Sequence, residues 1–87
     1  MTNWPQSNFM VVPISKTKIA MHVNELPPDD FWRQLGTFGI YGVVRGRPVH
    51  NGFKYNHELS LNTALHSVEV ACQLVIVELQ KLFGEPE

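Results

Sequence analysis

The side chains with the most chemical potential in this sequence are four histidines and one cysteine. The histidines share no spacing typical of metal ligands: His22, His50, His57 and His66. A protein metal site needs three or four converging ligands, so we expect no bound metal. Cys72 lies in an apolar stretch. It is expected to be a small buried hydrophobe, because a reactive thiolate needs a positively charged neighbourhood.

Motifs typical of catalysis are missing from the sequence. It contains no Gly-x-Ser-x-Gly elbow and no glycine-rich loop that would cradle a phosphate. The one pair of adjacent carboxylates, Asp29-Asp30, follows Pro28 and suits the first turn of a helix, where negative charge complements the helix dipole. We therefore expect a protein without catalytic activity and without a cofactor.

Basic side chains are concentrated in the first two thirds of the chain. Residues 1–57 contain six Lys or Arg against three Asp or Glu, whereas residues 58–87 contain one against five. The basic part therefore has a net charge of +3, although the whole chain has −1. This asymmetry is compatible with DNA as a partner. The basic residues that could contact DNA are Lys16, Lys18, Arg33, Arg45, Arg47 and Lys54.

Size and composition favour a small globular protein. The 87 residues are 44% hydrophobic and 17% charged, which is far from a disordered profile. We expect one domain over residues 1–87, with a loose N-terminus at 1–8, a body at 9–56 and a helix at 58–83. The single cysteine suits a reducing compartment. No signal peptide or membrane-spanning run is recognisable, so a soluble cytoplasmic protein is expected.

The strongest pattern lies between Leu61 and Phe83, where apolar residues recur with a seven-residue period typical of helix packing. This seam consists of Leu61, Leu65, Val68, Cys72, Val75, Leu79 and Leu82. A second apolar stripe, Val70, Leu74 and Val77, runs beside it. A helix apolar on several sides should contact its own domain on one side and a partner on another. We therefore predict a dimer or larger homo-oligomer with the seam as its interface.

The elements that precede this helix are short. Phe9–Val12 predicts a strand that ends at Pro13. Residues 15–23 fit either a helix capped by Ser15 or an alternating strand, and we favour the helix. A turn at 24–28 leads into a helix that carries Phe31, Trp32 and Leu35 and ends near Gly36 or Gly39.

A β-hairpin is predicted after the second short helix. Ile40–Val44 is typical of a strand, and Asn51-Gly52 is the strongest turn signal in the chain, favouring a two-residue loop with positive φ at both positions. Pro48 on the first arm indicates an edge strand. Two short helices followed by a basic hairpin predict an α+β fold, a small winged helix-turn-helix with a long C-terminal helix.

This layout resembles the small Cox/Apl-type, excisionase-like regulators of temperate phages. The resemblance rests on Val12-Pro13, Ile19-Ala20, Phe31 to Leu35, Gly39, the segment 43–48 and the hairpin end Lys54-Tyr55. It implies a cooperative DNA-binding repressor or excision factor acting on double-stranded DNA. By the same resemblance, Arg33 and Gln34 would read bases in the major groove, while Arg45, Arg47 and Lys54 would contact the DNA backbone.

An alternative function is a non-enzymatic adaptor or inhibitor that binds a host protein through an apolar helix and an aromatic face, without nucleic acid. In this alternative, residues 16–23 form a strand, and a small sheet is backed by the long helix. The conformation of 15–23 separates the two hypotheses. A helix there favours DNA binding, and a strand paired with Phe9–Val12 favours the adaptor.

Overall fold

The computed structural model describes residues 8–45 and 52–84, with residues 43–45 described by their backbone alone. Within these ranges the chain forms four strands and two helices in the order ββαββα. Their bounds are β1 Phe9–Pro13, β2 Lys18–Val23, α1 Asp29–Thr37, β3 Ile40–Arg45, β4 Tyr55–Leu61 and α2 Val68–Phe83. The expected α+β class is confirmed.

The four strands form one antiparallel sheet in the order β1-β2-β4-β3. The fold consists of two ββα units, each of which supplies one edge strand, one central strand and one helix. The central strands β2 and β4 pair with each other and join the units. Helix α1 of the first unit contacts edge strand β3 of the second, and α2 of the second contacts β1 of the first.

Alternation along the strands gives the sheet two different faces. On one face, alternate strand residues pack in a single core cluster with helix residues such as Phe31, Leu35 and Val75, so both helices cover this face, called the helix face below. The opposite face, called the open face, carries the intervening residues, among them Val12 at 38% exposure and Tyr41 at 60%. No helix of the described ranges covers the open face.

The predicted helix at 15–23 is wrong, because Lys18–Val23 is strand β2. It pairs with β1 on one side and β4 on the other, and its alternate residues Ile19, Met21 and Val23 are fully buried. Ser15 does not cap a helix, since its hydroxyl accepts the Thr17 N–H in the β1–β2 turn. Pairing with a strand on each side and burial of one face stabilise the strand by more than the weak local preference for a helix. The described residues therefore lack the first helix of a helix-turn-helix.

The long C-terminal helix begins later than predicted. Residues 58–61, which were assigned to the helix, belong to strand β4, where His57, Leu59 and Leu61 alternate into the core. The helix α2 starts after Ser67, whose hydroxyl accepts the Val70 N–H at 3.3 Å, rather than after Ser60 or Asn62. Its end matches the prediction, because Gly84 has a φ of 82°.

The β3–β4 connection differs from the predicted tight hairpin. A two-residue loop at 51–52 would place Arg45 opposite Glu58, whereas Arg45 lies opposite Asn56. Gly52 has the expected positive φ, 85°, while Asn51 lies outside the described residues. The predicted edge position of the first arm is confirmed, since β3 is at one edge of the sheet.

Candidate functional site

The outer edge of strand β3 carries backbone groups without hydrogen-bond partners among the described residues. The Asn62 N–H donates to the Gly39 carbonyl at 2.9 Å, which fixes the phase of the alternating β3–β4 ladder. In the observed register, Tyr41, Val43 and Arg45 bond to β4. The N–H and C=O groups of the alternate residues, Ile40, Gly42 and Val44, point away from the sheet.

A shallow groove beside this edge is lined by Trp32, Ile40, Tyr41 and Gly42. Trp32 is half-buried on α1 and lies over Gly42, so that a Cβ added to Gly42 would come within 2.7 Å of the indole ring and of Leu59. Tyr41 is 60% exposed, and its ring approaches the position of a Cβ on Gly36 at 4.0 Å. The groove therefore has an aromatic wall on each side of an exposed glycine.

The local sequence places α1 beside β3. Pro28 precedes the helix in an extended conformation, and Asp29 and Asp30 occupy its first turn, where their charge is favourable. After Thr37 the chain turns sharply at Gly39, whose φ is 76°. A side chain there would contact Leu65 at 2.7 Å. This tight turn brings β3 back along the helix that precedes it.

His57 lies beneath Trp32 on the helix face. Its side chain is 3% exposed, and its ring centroid is 5.1 Å from that of Trp32. Neither ring nitrogen has a hydrogen-bond partner among the described residues. Burial lowers the pKa of His57, and the nearby His22 lowers it further. The backbone of Met21 opposes this lowering in part, although it does not reach either ring nitrogen in hydrogen-bond geometry. The fold therefore favours the neutral imidazole.

Of the residues predicted to contact DNA, those with described side chains do not gather on one surface. Lys16 lies in the β1–β2 turn, and Lys54 precedes β4 near Asn24, at the other end of the central strands. Gln34 lines a groove between α1 and α2 together with Glu78. Arg45, at the end of β3, is paired with Asn56 by register, and Arg47 lies outside the described residues.

Two of these basic side chains are close to carboxylates. On the open face, the Lys18 Nζ atom lies 3.7 Å from the Glu58 Oε1 atom. Arg33 is hydrogen-bonded to Asp30 on the exposed side of α1, and this contact raises the pKa of the guanidinium. Exposed pairs of this kind contribute little stability. They do reduce the positive charge that is available to a phosphate backbone.

Five of the seven residues predicted to form the oligomer interface are buried within the single chain. Leu61, Val68, Cys72, Val75 and Leu79 are each at most 8% exposed. The seven-residue seam is the side of α2 that packs on its own sheet, preceded by the last residue of β4. Leu65 at 56% and Leu82 at 40% exposure lie outside that contact.

The second apolar stripe of α2 faces outward, as expected for a helix that is apolar on several sides. Val70 is 48% exposed, Val77 is 44% exposed, and Leu74 between them is half-buried. Glu69 and Gln73 lie beside the stripe and are exposed. It is a second apolar surface, separate from the groove at β3.

The remaining reactive groups among the described residues form no cluster. Cys72 is buried, and burial, assisted by Glu69, raises the pKa of its thiol. His22 is hydrogen-bonded to Asn56, and its ring lies 6.1 Å from that of Phe53. Within the described ranges no three His, Cys, Asp or Glu residues converge as a metal site would require. Neither helix of this part is long and apolar enough to cross a bilayer.

Sequence reasoning predicted the strand at 40–44 and its edge position, but it did not predict the groove. The signal that could have indicated a binding surface is the run Ile40–Val44, which contains no proline and no charge and therefore lacks the features that protect edge strands against strand addition. Nothing in the sequence placed Trp32 over Gly42, because that contact depends on the turn at Gly39 and the direction of β3. Comparison of this chain with protein-family models, curated proteins and solved structures finds no match.

Proposed function

We propose that this protein is a non-enzymatic interaction module that binds an extended protein segment by strand addition along β3. One observation carries the proposal. The outward backbone groups of Ile40, Gly42 and Val44 have no partner among the described residues, and they lie beside the groove between Trp32 and Tyr41. A bound strand would satisfy these groups and place alternate side chains toward the aromatic walls.

The chemistry of the edge indicates the kind of segment that fits. Residues 40–44 carry no charge, so an uncharged strand rich in β-branched or aromatic residues is favoured. Three outward residues offer about four to six backbone hydrogen bonds, each contributing roughly 0.5–1.5 kcal/mol net. This supports only weak binding once association entropy is subtracted. The apolar groove must therefore supply the remaining affinity and the specificity.

The direct test uses synthetic extended hexapeptides with Val, Ile or Tyr at alternate positions, followed by amide NMR of the protein. We expect shift changes and slowed exchange at Gly42 and Val44, while the Tyr41 amide, already bonded to β4, changes less. A peptide with the same side chains but N-methylated on its binding edge should bind at least tenfold more weakly, because it lacks the donors.

A matched pair of variants makes this test specific. Tyr41→Lys places a charge at the edge and should weaken peptide binding about tenfold, whereas Val77→Lys, on the outer side of α2, should leave it unchanged. If the peptides shift only the amides of α2, or if N-methylation has no effect, strand addition is the wrong proposal.

Binding of double-stranded DNA is a second candidate, favoured by one observation. Lys18 lies on the open face, whereas Glu69 and Glu78 lie on α2, which covers the opposite face. A protein that neutralises several phosphates loses affinity steeply with salt, with a log–log slope of about −0.9 per phosphate. Under this candidate, Lys18→Ala should reduce the slope by about one. If the protein does not shift double-stranded DNA in a gel at low salt, DNA binding is excluded and strand addition remains as the proposed function.

A further inference from the structure

We propose that the strand which adds to β3 is β3 of a second copy, joined about a twofold axis at Gly42. This inference rests on the proposed function, since it names the partner of the same edge. The result would be an eight-stranded antiparallel sheet in which the two β3 strands lie at the centre. The proposal specifies both the surface that joins the two copies and the register in which their β3 strands pair.

The outward residues of β3 are self-complementary about Gly42. Residues 40, 42 and 44 present their backbone groups to the outer edge. An antiparallel copy centred on Gly42 places Ile40 opposite Val44 of the second copy and Gly42 opposite its equivalent. In this register each of the three outward residues of one copy pairs with an outward residue of the other, donors against acceptors.

The residue types at the junction favour this register. Tyr41 falls opposite Val43 of the second copy in this register, and aromatic with β-branched pairs stabilise antiparallel sheets. Ile40 of one copy and Val44 of the other are a second β-branched pair across the junction. Arg45 falls opposite Gly39 of the second copy, so no like charges are brought together.

The helix face supplies a close contact at the axis. Gly42 has no side chain, and the Trp32 ring occupies the space above it. A twofold axis through Gly42 therefore brings the two Trp32 rings to the same side of the sheet, over adjacent glycines. The Tyr41 ring lies beside Gly36 of α1, so Tyr41 and Trp32 of each copy are the side chains that meet at the junction.

The other edge of the sheet is less suited to self-pairing. The Ile14 N–H donates to the Lys18 carbonyl at 2.9 Å, which sets Phe9, Val11 and Pro13 as the outward residues of β1. Pro13 has no N–H to donate, and proline is typical of protected edge strands. The contrast between the edges indicates β3 as the joining strand.

Charge-swap variants test the surface. Tyr41→Lys with Val43→Lys places lysines opposite lysines in the dimer, and Tyr41→Glu with Val43→Glu places glutamates opposite glutamates. Each double variant should sediment as a monomer at concentrations where the wild type is dimeric, with Kd raised at least tenfold. An equimolar mixture of the two should recover a dimer, which shows that both variants remain folded.

Cysteine pairs test the register. Tyr41→Cys with Val43→Cys should give a covalent dimer on mild oxidation, because residue 41 lies opposite residue 43 of the second copy. Met10→Cys with Val12→Cys has the same spacing on the open face of β1 and should remain monomeric. The inference is overturned if the β1 cysteine pair gives a covalent dimer. It is also overturned if the wild-type dimer is kept in the β3 variants but is lost in the double variant Val70→Lys with Val77→Lys.

The proposed function fails separately from this inference. A wild type that stays monomeric at high micromolar concentration, with fast amide exchange at Gly42, excludes the second copy as the occupant. The hexapeptide titration then still decides whether β3 accepts a strand from another protein. Failure of both experiments excludes the edge as a binding site altogether.

Discussion

His57 is buried without a hydrogen-bond partner among the described residues, and this makes its protonation costly. The pKa of His57 is lowered by burial, so the unfolded chain, with a histidine pKa of about 6.5, binds the proton more readily. Stability contributed by the neutral ring is therefore present above that pH and is lost as the pH falls through it toward the lower folded pKa.

We expect His57→Leu to reduce this acid sensitivity. Urea midpoints of wild type and variant should be compared at pH 7.5 and pH 5.5. The drop between the two pH values should be smaller in the variant, because the buried group no longer takes up a proton on unfolding. His66→Leu, at a half-buried position outside the core, is the control and should keep the wild-type drop. Equal drops in the His57 variant and wild type would contradict the assignment.

Gly42 is required by close packing rather than by a special backbone conformation. A methyl group at this position would meet Trp32 and Leu59 at 2.7 Å, and overpacking of this kind costs about 1–3 kcal/mol. Gly42→Ala should therefore lower the free energy of unfolding by about that amount in urea denaturation. Gly36→Ala, whose methyl group would have only ordinary contact distances, should be neutral or stabilising by up to about 1 kcal/mol.

At the scale of elements, α2 has one face that is buried and one that is exposed. Val75 is fully buried, whereas Val77 is 44% exposed. Val75→Asp should destabilise the protein by more than about 3 kcal/mol, because an unpaired charge would enter the core. Val77→Asp should cost less than about 1 kcal/mol. Thermal unfolding followed by circular dichroism measures both, and a larger loss for Val77→Asp would mean that the helix is rotated or that this face is covered.

The elements differed in how well the sequence predicted them. Helix α1 was predictable because Pro28, Asp29 and Asp30 are strong local start signals. Strand β2 was not, because nine residues fit both periods and only pairing with β1 and β4 decides between them. The start of α2 was predicted too early because Leu61 continues the seven-residue spacing by coincidence, while its side chain enters the core from β4.

The binding site was predictable only in part, for a related reason. An apolar run such as Ile40–Val44 indicates a strand, and the expected edge position agrees with that of β3, although Pro48, which indicated it, lies outside the described residues. The groove, however, is made by Trp32 from one ββα unit and Gly42 from the other. No local pattern reports a contact of this kind, since it depends on which strands are neighbours in the sheet.

For the whole molecule, amide hydrogen exchange should reflect the strand order. Amides of β2 and β4 should exchange most slowly, because these central strands have partners on both sides and exchange only in larger openings. Along β3 the protection should alternate, with Val43 slow and Gly42 fast in dilute protein. Uniform protection along β3 under dilute conditions would show that the outer edge is already covered.

The pairing of β2 with β4 also has a consequence for the rate at which the chain folds. Each hairpin joins strands close in sequence, but the β2–β4 register connects Val23 with Tyr55 and Lys18 with Ser60, so the junction between the units must close a long loop. Such distant pairings slow folding. We expect substitutions in the β2–β4 junction to reduce the folding rate, and those in β1 mainly to increase the unfolding rate. Until the junction closes, each half exposes the apolar surface that the other will cover.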